Sequence, residues 1–368
     1  MRIGVLRETV ASERRVALIP ATVQKLVQQK HEVVVEREAG LAAFFPDQLY
    51  REAGATIAES PSAAIAGADL VIKVQPPTAD QIKGLRAGSV LISLMAPHAN
   101  GPLLEQLAAA GVSALCLELV PRTTKAQSMD VLSSQATVAG YQAVLLGASK
   151  MGRLLPMLTT AAGTLTPGKA FIIGAGVAGL QAIATARRLG AVVSAFDVRA
   201  VVKEQVQSLG ASFVETEAKA EGTGGYAKEL AADQQAQVLA AVAGHIKNMD
   251  LVVTTAAIPG KPAPCLITKA MVESMKPGSV IVDLAAESGG NCELTQIGEE
   301  IMVQGVTVLG PKNIPSMLPN HASFMFSKNV QSLLEYAVKD GGLAVNLEDA
   351  IVGPMCVTHA GAVRYGSK

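Results

Sequence analysis

Phe171-Ile172-Ile173-Gly174-Ala175-Gly176-Val177-Ala178-Gly179, continued by an Ala-rich stretch to Leu189 and closed by Gly190, decides how this chain is read. Val192-Val193-Ser194-Ala195-Phe196-Asp197 follows directly, an apolar run ending in an acid. A bare GxGxxG carries little information. The order strand, glycine turn, helix, strand, acid is what a dinucleotide site requires. Gly174 makes the tight turn, Gly176 lets the main chain approach a pyrophosphate, and Gly179 lets helix and strand pack closely, with Ala175 and Val177 completing the turn. The helix N-terminus supplies N–H groups and partial positive charge. Asp197 lies 18 residues past Gly179. It is placed to accept from ribose hydroxyls and to repel a 2′-phosphate, which favours NAD(H) over NADP(H). Val198 and Arg199 complete that loop, and Arg199 either serves a 2′-phosphate or turns outward. The other reading of the segment is a glycine turn that only packs, beside a surface Asp.

Outward from this motif, strands are predicted at 170–173, 192–196, 251–254, 280–284 and 306–309, an array of alternating strands and helices from Gly168 to Gly310. A similar array precedes it, with strands at 2–5, 32–36, 70–74, 90–94 and 113–117 and helices at 21–29 and 102–110. Tandem βαβ arrays imply two Rossmann-like, doubly wound parallel-sheet α/β domains, with a cleft between them. The expected division is residues 1–128 with 322–368, and residues 129–321. The uncharged run Val131 to Ser149 reads as a buried or amphipathic helix, because Ser133, Ser134, Gln135 and Gln142 interrupt it as a membrane span.

Three loops carry further polar chemistry. Pro121 to Ser133 follows the last strand of the first array and brings Arg122, Gln127, Asp130 and Ser133 close in sequence, around Met129. Loops leaving the carboxyl ends of parallel strands line ligand crevices. Equally, Asp130 is a natural cap for the helix that follows. Glu215 to Glu229 is charged and glycine-clustered, with Gly225 beside Tyr226. It is either a hinged lid whose Tyr226 covers a ligand or a solvated loop. Thr254 to Pro264, including Ala257, and Asp283 to Asn291 read as rims of the nucleotide cleft, with Glu287 a carboxylate on the second. His31, His245 and His359 read as surface positions. His98 and His321 sit in loops without a visible partner. No metal cluster or nucleophile elbow is expected.

Composition narrows the classes. The chain has 368 residues, about two domains' worth, with 31 basic and 31 acidic residues. A net charge of zero gives no drive toward nucleic acid or anionic lipid. Apolar residues make up 49% but aromatics only 3%, with no Trp and 34 Gly, as in parallel α/β cores built from small aliphatic side chains. Four scattered cysteines form no CxxC. With charges at Arg7 and Glu8 there is no secretory leader, so a reducing cytosol is the expected compartment.

With the glycine fingerprint, the Arg122-x4-Gln127-x2-Asp130 loop and Gly224-Gly225-Tyr226 in order, the sequence resembles the NAD(H)-binding domain of the proton-translocating nicotinamide nucleotide transhydrogenases. The similarity covers essentially the whole chain, including Arg15 to Pro20, Ala126 to Asp130, Gly222 to Leu230 and Ile258 to Pro264. The resemblance implies Si/Re-specific hydride transfer between NAD(H) held here and NADP(H) on a partner subunit, coupled to proton movement through a membrane-spanning subunit. It also implies a homodimer, at the cytoplasmic face of the membrane through its partners rather than by insertion. Arg122, Gln127, Asp130 and Ser133 would then hold the nicotinamide end, Gly174 to Gly179 the pyrophosphate and Asp197 the ribose, with Tyr226 on a loop that closes over the nucleotide. The related alanine dehydrogenases are the alternative. Arg15 and Lys73 match their keto-acid carboxylate binders, but their catalytic His falls at Ala96 and their catalytic Asp at Glu287, and the nearest imidazole is His98. Loss of that imidazole argues against amino-acid oxidation.

Overall fold

The structure is a computed structural model that describes residues 1–216, 231–258 and 260–366. The chain forms two compact units, Met1–Gln135 with Pro315–Lys368, and Ala136–Ile314. The sequence reading put the switch points at 128/129 and 321/322. The first instead falls inside the helix Val131–Lys150 and the second just ahead of Pro315, before the helix Pro319–Ala337. A helix that runs continuously through a boundary leaves no compositional mark at it.

The first unit holds an eight-stranded sheet. Thr56–Ala58, Glu32–Glu36, Arg2–Val5, Leu70–Ile72, Val90–Ser93 and Ser113–Cys116 lie side by side and parallel, the order 3-2-1-4-5-6 of a doubly wound sheet. Two C-terminal strands, Cys356–His359 and Ala362–Val363, extend it antiparallel beyond Ser113–Cys116. Burial on both faces explains the continuous β-branched runs. Ile3, Val5, Val33, Val35, Leu70 and Ile72 point into one core, and Val34, Val71 and Leu91 into the other.

The second unit repeats the plan. Its parallel strands run Ser212–Phe213, Val192–Phe196, Lys169–Ile173, Leu251–Thr254, Val280–Asp283 and Val306–Leu309, and Glu300–Val303 lies antiparallel at the edge. Ala170, Ile172, Leu251 and Val253 face one core, Phe171, Ile173 and Val252 the other. The helix Val131–Lys150 reaches this unit through Gly140, where any Cβ would overlap the Ala178 carbonyl on the helix Val177–Arg188. Among the described residues no helix is long and apolar enough to cross a membrane.

Three histidines expected at the surface are not there. His31 is buried. His245, on the last turn of the helix Ala232–Ile246, is half-buried against the sheet, with Nε2 2.7 Å from Ser194 Oγ and its ring edge-on to Phe171. His359 Nδ1 lies 2.9 Å from Ser113 Oγ, on the strand that rejoins the first sheet. Burial holds the His31 and His245 imidazoles below their ordinary pKa.

Candidate functional site

The predicted site residues fall into two groups, one in each unit. In the second unit, Lys169–Ile173 leads into the turn at Gly174, whose φ of +96° is open to glycine at little cost. The turn is fixed from two sides. Gly174 N donates to Phe196 O at 2.8 Å, and Thr255 Oγ1 donates to Gly174 O at 3.0 Å.

The three glycines have separable reasons. A Cβ on residue 174 would stand 2.5 Å from Thr255 Oγ1, and one on residue 179 would overlap the Gly174 carbonyl oxygen, so both positions are packing requirements. Residue 176 differs. Its Cβ would meet one neighbour within 4 Å, Arg199 Nη2 at 3.9 Å. Packing does not explain this glycine, and a ligand main-chain approach does. The helix Val177–Arg188 starts here. Its first ladder bond runs from Leu180 N to Gly176 O at 2.8 Å, so the N–H groups of Val177, Ala178 and Gly179 precede the ladder.

Asp197 sits just past the strand Val192–Phe196 and is buried. Its Oδ2 accepts from Ala175 N at 2.7 Å, tying the acid to the glycine turn. Arg199 does not turn outward. Its Nε donates to Asp197 Oδ1 at 2.9 Å and its Nη2 to Oδ2 at 2.6 Å. Hydrogen bonding to Asp197 holds the guanidinium above its ordinary pKa, against the opposing effect of burial. Val198 is half-buried against the core, Val177 is exposed, and Ala257 is exposed on the loop after Leu251–Thr254.

Sequence reasoning missed the groups that hold this rim. Asp283 is fully buried and collects five donors: Thr254 Oγ1 at 2.8 Å, Ala285 N at 3.0 Å, Asn291 N at 2.7 Å, Cys292 N at 3.0 Å and Thr295 Oγ1 at 2.6 Å. Asn291 in turn bonds Ala256 N and O at 3.0 and 2.8 Å. The available signal was an acid closing a strand ahead of Gly289-Gly290. Glu287, singled out instead, is exposed and accepts from Asn313 N at 3.1 Å.

In the first unit, Arg122 and Gln127 are exposed on the loop that contains the 3-10 turn Thr124–Met129. Met129 is 4% exposed and its side chain belongs to the core. Asp130 caps the following helix, with Oδ1 accepting from Ser133 N at 2.9 Å and Oδ2 from Ser133 Oγ at 2.6 Å. Asn329 Nδ2 donates to Ser128 O at 2.8 Å and pins the loop to the helix Pro319–Ala337. The four polar residues thus share one short, braced loop. Gly225 and Tyr226 lie outside the described residues.

The same unit holds a buried charge network. Glu13 meets Arg15 through Nε at 2.8 Å and Nη2 at 2.7 Å, while Gln75 Nε2 donates to Glu13 Oε2 at 2.7 Å. Arg15 Nη1 reaches Gln135 Oε1 at 2.8 Å. Lys73, 1% exposed, pairs with Glu8 at 3.3 Å. Burial pushes the Glu13 carboxyl up, but the Arg15 guanidinium and the Gln75 amide outweigh it and hold it down at about 2. At Glu8 burial outweighs Lys73, and the carboxyl is raised.

Residues 4–139 match the model of the alanine dehydrogenase/PNT N-terminal domain, and residues 143–366 that of the C-terminal domain. The chain belongs to the alanine dehydrogenase/PNT family. It is 46% identical over 374 aligned positions to the first of the chains that make up NAD(P) transhydrogenase subunit alpha in Rhodospirillum rubrum, covering 99% of this chain and 97% of that one. A solved transhydrogenase from Sinorhizobium meliloti superposes with a TM-score of 0.90 at 47% identity, covering 99% of this chain and all of the other. A solved L-alanine dehydrogenase gives a TM-score of 0.80 at 28% identity, covering 99% of this chain and 96% of its own. Within the alanine dehydrogenase/PNT fold of this chain, the turn at Ala96 carries no imidazole. Ala96 has φ +45°, its N–H donates to Glu118 Oε1 at 2.7 Å, and the nearby His98 is exposed.

Proposed function

We propose that this chain is the NAD(H)-binding subunit of a proton-translocating NAD(P) transhydrogenase, exchanging hydride between NAD(H) held here and NADP(H) held on a partner subunit. The observation that carries the reading is the glycine turn. Gly176 lacks a packing reason to be glycine and opens a helix N-terminus, while its neighbour Ala175 donates to the acid that closes the second strand. The donor set fits a dinucleotide: main-chain N–H groups and a helix dipole for the pyrophosphate, and a carboxylate for the ribose.

The residues take the following parts. Main chain from Gly174 to Gly179 holds the pyrophosphate, with Asp197 on the adenosine ribose and Val198 and Arg199 beside it. Arg122, Gln127, Asp130 and Ser133 orient the nicotinamide end, Met129 through its main chain, and Ala257 lies at the rim. When bound, the nicotinamide supplies the hydride, which leaves one ring carbon with its electron pair and joins another. No oxygen or nitrogen gains a proton in that exchange, so the loop needs no general acid or base. Its task is placement, and the Asp130–Ser133 cap together with Asn329 keeps it rigid.

Proton coupling belongs to a membrane-spanning partner subunit, which would hold this chain at the cytoplasmic face of the membrane. A second copy of the chain is the further expected partner. The exposed Met157, Leu158 and Leu165, at the antiparallel pair Leu158–Thr160 and Gly163–Leu165, support such an association. Alanine dehydrogenase chemistry is disfavoured by Ala96. The deciding experiment mixes the chain with an NADP(H)-loaded partner subunit and follows transfer to an NAD+ analogue, beside an assay of NADH oxidation with pyruvate and ammonia. Transfer only on mixing is expected. Turnover with pyruvate and ammonia by the chain alone would overturn the reading.

A further inference from the structure

The Asp197 carboxylate has its acceptor positions filled from within the chain. Oδ1 accepts from the Arg199 main-chain N–H at 2.8 Å and from Arg199 Nε at 2.9 Å. Oδ2 accepts from Ala175 N at 2.7 Å and from Arg199 Nη2 at 2.6 Å. A carboxylate offers about four lone-pair sites, so these four donors leave none for a ribose hydroxyl. Two of the donors are main chain and persist as long as the turn does. The other two belong to one rotatable side chain. Moving the guanidinium away frees one position on each oxygen, which is the requirement of a vicinal diol. The same guanidinium overhangs the turn, with Nη2 the single atom within 4 Å of the Cβ position at residue 176.

We propose that Arg199 is a specificity-determining residue that keeps the ribose subsite closed on itself, its guanidinium standing on Asp197 in the two acceptor positions a ribose diol uses, so that nucleotide binding proceeds by its displacement. This rests on the reading of Asp197 as the ribose acceptor. Two consequences follow. The apparent affinity for NADH is the intrinsic one reduced by the fraction of chains in which the pair is open. The cation also offsets the negative charge that a 2′-phosphate would meet at Asp197, which narrows the discrimination between NADH and NADPH.

The test titrates NADH and NADPH, by nucleotide fluorescence, into the full chain and its Arg199→Met, Arg199→Lys and Asp197→Asn variants, with a thermal melt of each. Arg199→Met keeps most of the stem and removes the donors. Its NADH Kd is expected to fall about tenfold, while its NADPH Kd stays or rises, so that the ratio of the two widens. Arg199→Lys, with a compact charge in place of the fork, should lie between, and it carries the test if the Met variant does not fold. An unchanged or weakened NADH Kd in the variants overturns the proposal. Asp197→Asn separates the two levels. If it weakens NADH binding while the Arg199 variants give no gain, this proposal alone fails. If it leaves NADH binding unchanged, the reading of Asp197 fails and takes the proposal with it.

Discussion

The two sheets begin alike and part at one residue. In the first unit, Arg7 N, two residues past the end of Arg2–Val5, donates to Glu36 at 2.9 Å at the end of Glu32–Glu36. In the second, Ala175 N, two residues past the end of Lys169–Ile173, donates to Asp197 at 2.7 Å just past Val192–Phe196. The next residue differs. Gly176 opens a helix, whereas Glu8 turns its carboxylate onto Val74 N at 2.7 Å and Gln75 N at 3.3 Å and pairs with Lys73. No helix starts in the first unit until Pro20. The same strand order therefore gives a ligand-facing turn in one unit and a self-satisfied polar core in the other. Strand order fixes where a crevice belongs, and the residue after the turn decides whether the chain fills it itself.

If that contrast is right, breaking the first unit's network hurts folding and breaking the second unit's turn hurts binding. The largest effect is expected from Glu13→Gln, which leaves Arg15 buried without its anion. It should cost about 3–5 kcal/mol in denaturant unfolding. Gly179→Ala comes next, because its methyl overlaps a backbone carbonyl and forces helix and strand apart, at about 2–3 kcal/mol. Gly176→Ala should leave unfolding within about 0.5 kcal/mol of the parent yet weaken NADH binding roughly tenfold by obstructing the pyrophosphate approach. Equal losses in folding and binding would erase the distinction among the glycines.

The pH profile bears on the same contrast. The Glu13 carboxyl sits at about 2 in the folded chain, below its ordinary 4.5. A depressed carboxyl contributes stability that is fully present above the unfolded value and is lost as pH falls through the folded one, so this contribution should fade between about 4.5 and 2. Glu8 is raised, and its protonation relieves a buried charge, so Glu8→Gln should not reproduce that acid loss. Equilibrium melts of the two variants from neutral to acid pH compare them. The smallest folding effect is expected at Gln127→Ala, within about 0.5 kcal/mol because the side chain is exposed, while hydride transfer to a partner falls more than NADH affinity does.

Much of the fold was legible because buried parallel strands are continuous β-branched runs. Arg2–Val5, Glu32–Glu36, Val192–Phe196, Leu251–Thr254 and Val306–Leu309 have the bounds read from sequence. Thr56–Ala58 and Ser212–Phe213 are too short to show a period, and Cys356–His359 is set by its antiparallel partner rather than by its own pattern. The glycine turn was legible as a motif, but not the division of labour among its glycines, which depends on Thr255 from a distant strand. His245 looked solvated because nothing local reveals Ser194 and Phe171 beneath it. Asp130 remained open between cap and ligand group until its geometry on Ser133 was visible. Arg199 stayed open between a 2′-phosphate and solvent, because a side chain two residues past an acid has no local instruction to fold back upon it.

The central claim is that the second unit takes NAD(H) through an open glycine turn and an acid that refuses a 2′-phosphate. Parallel equilibrium titrations of the unaltered chain with NADH and NADPH test it most directly. The account predicts saturable NADH binding with NADPH weaker by at least about tenfold. NADPH binding as tight as, or tighter than, NADH would contradict it.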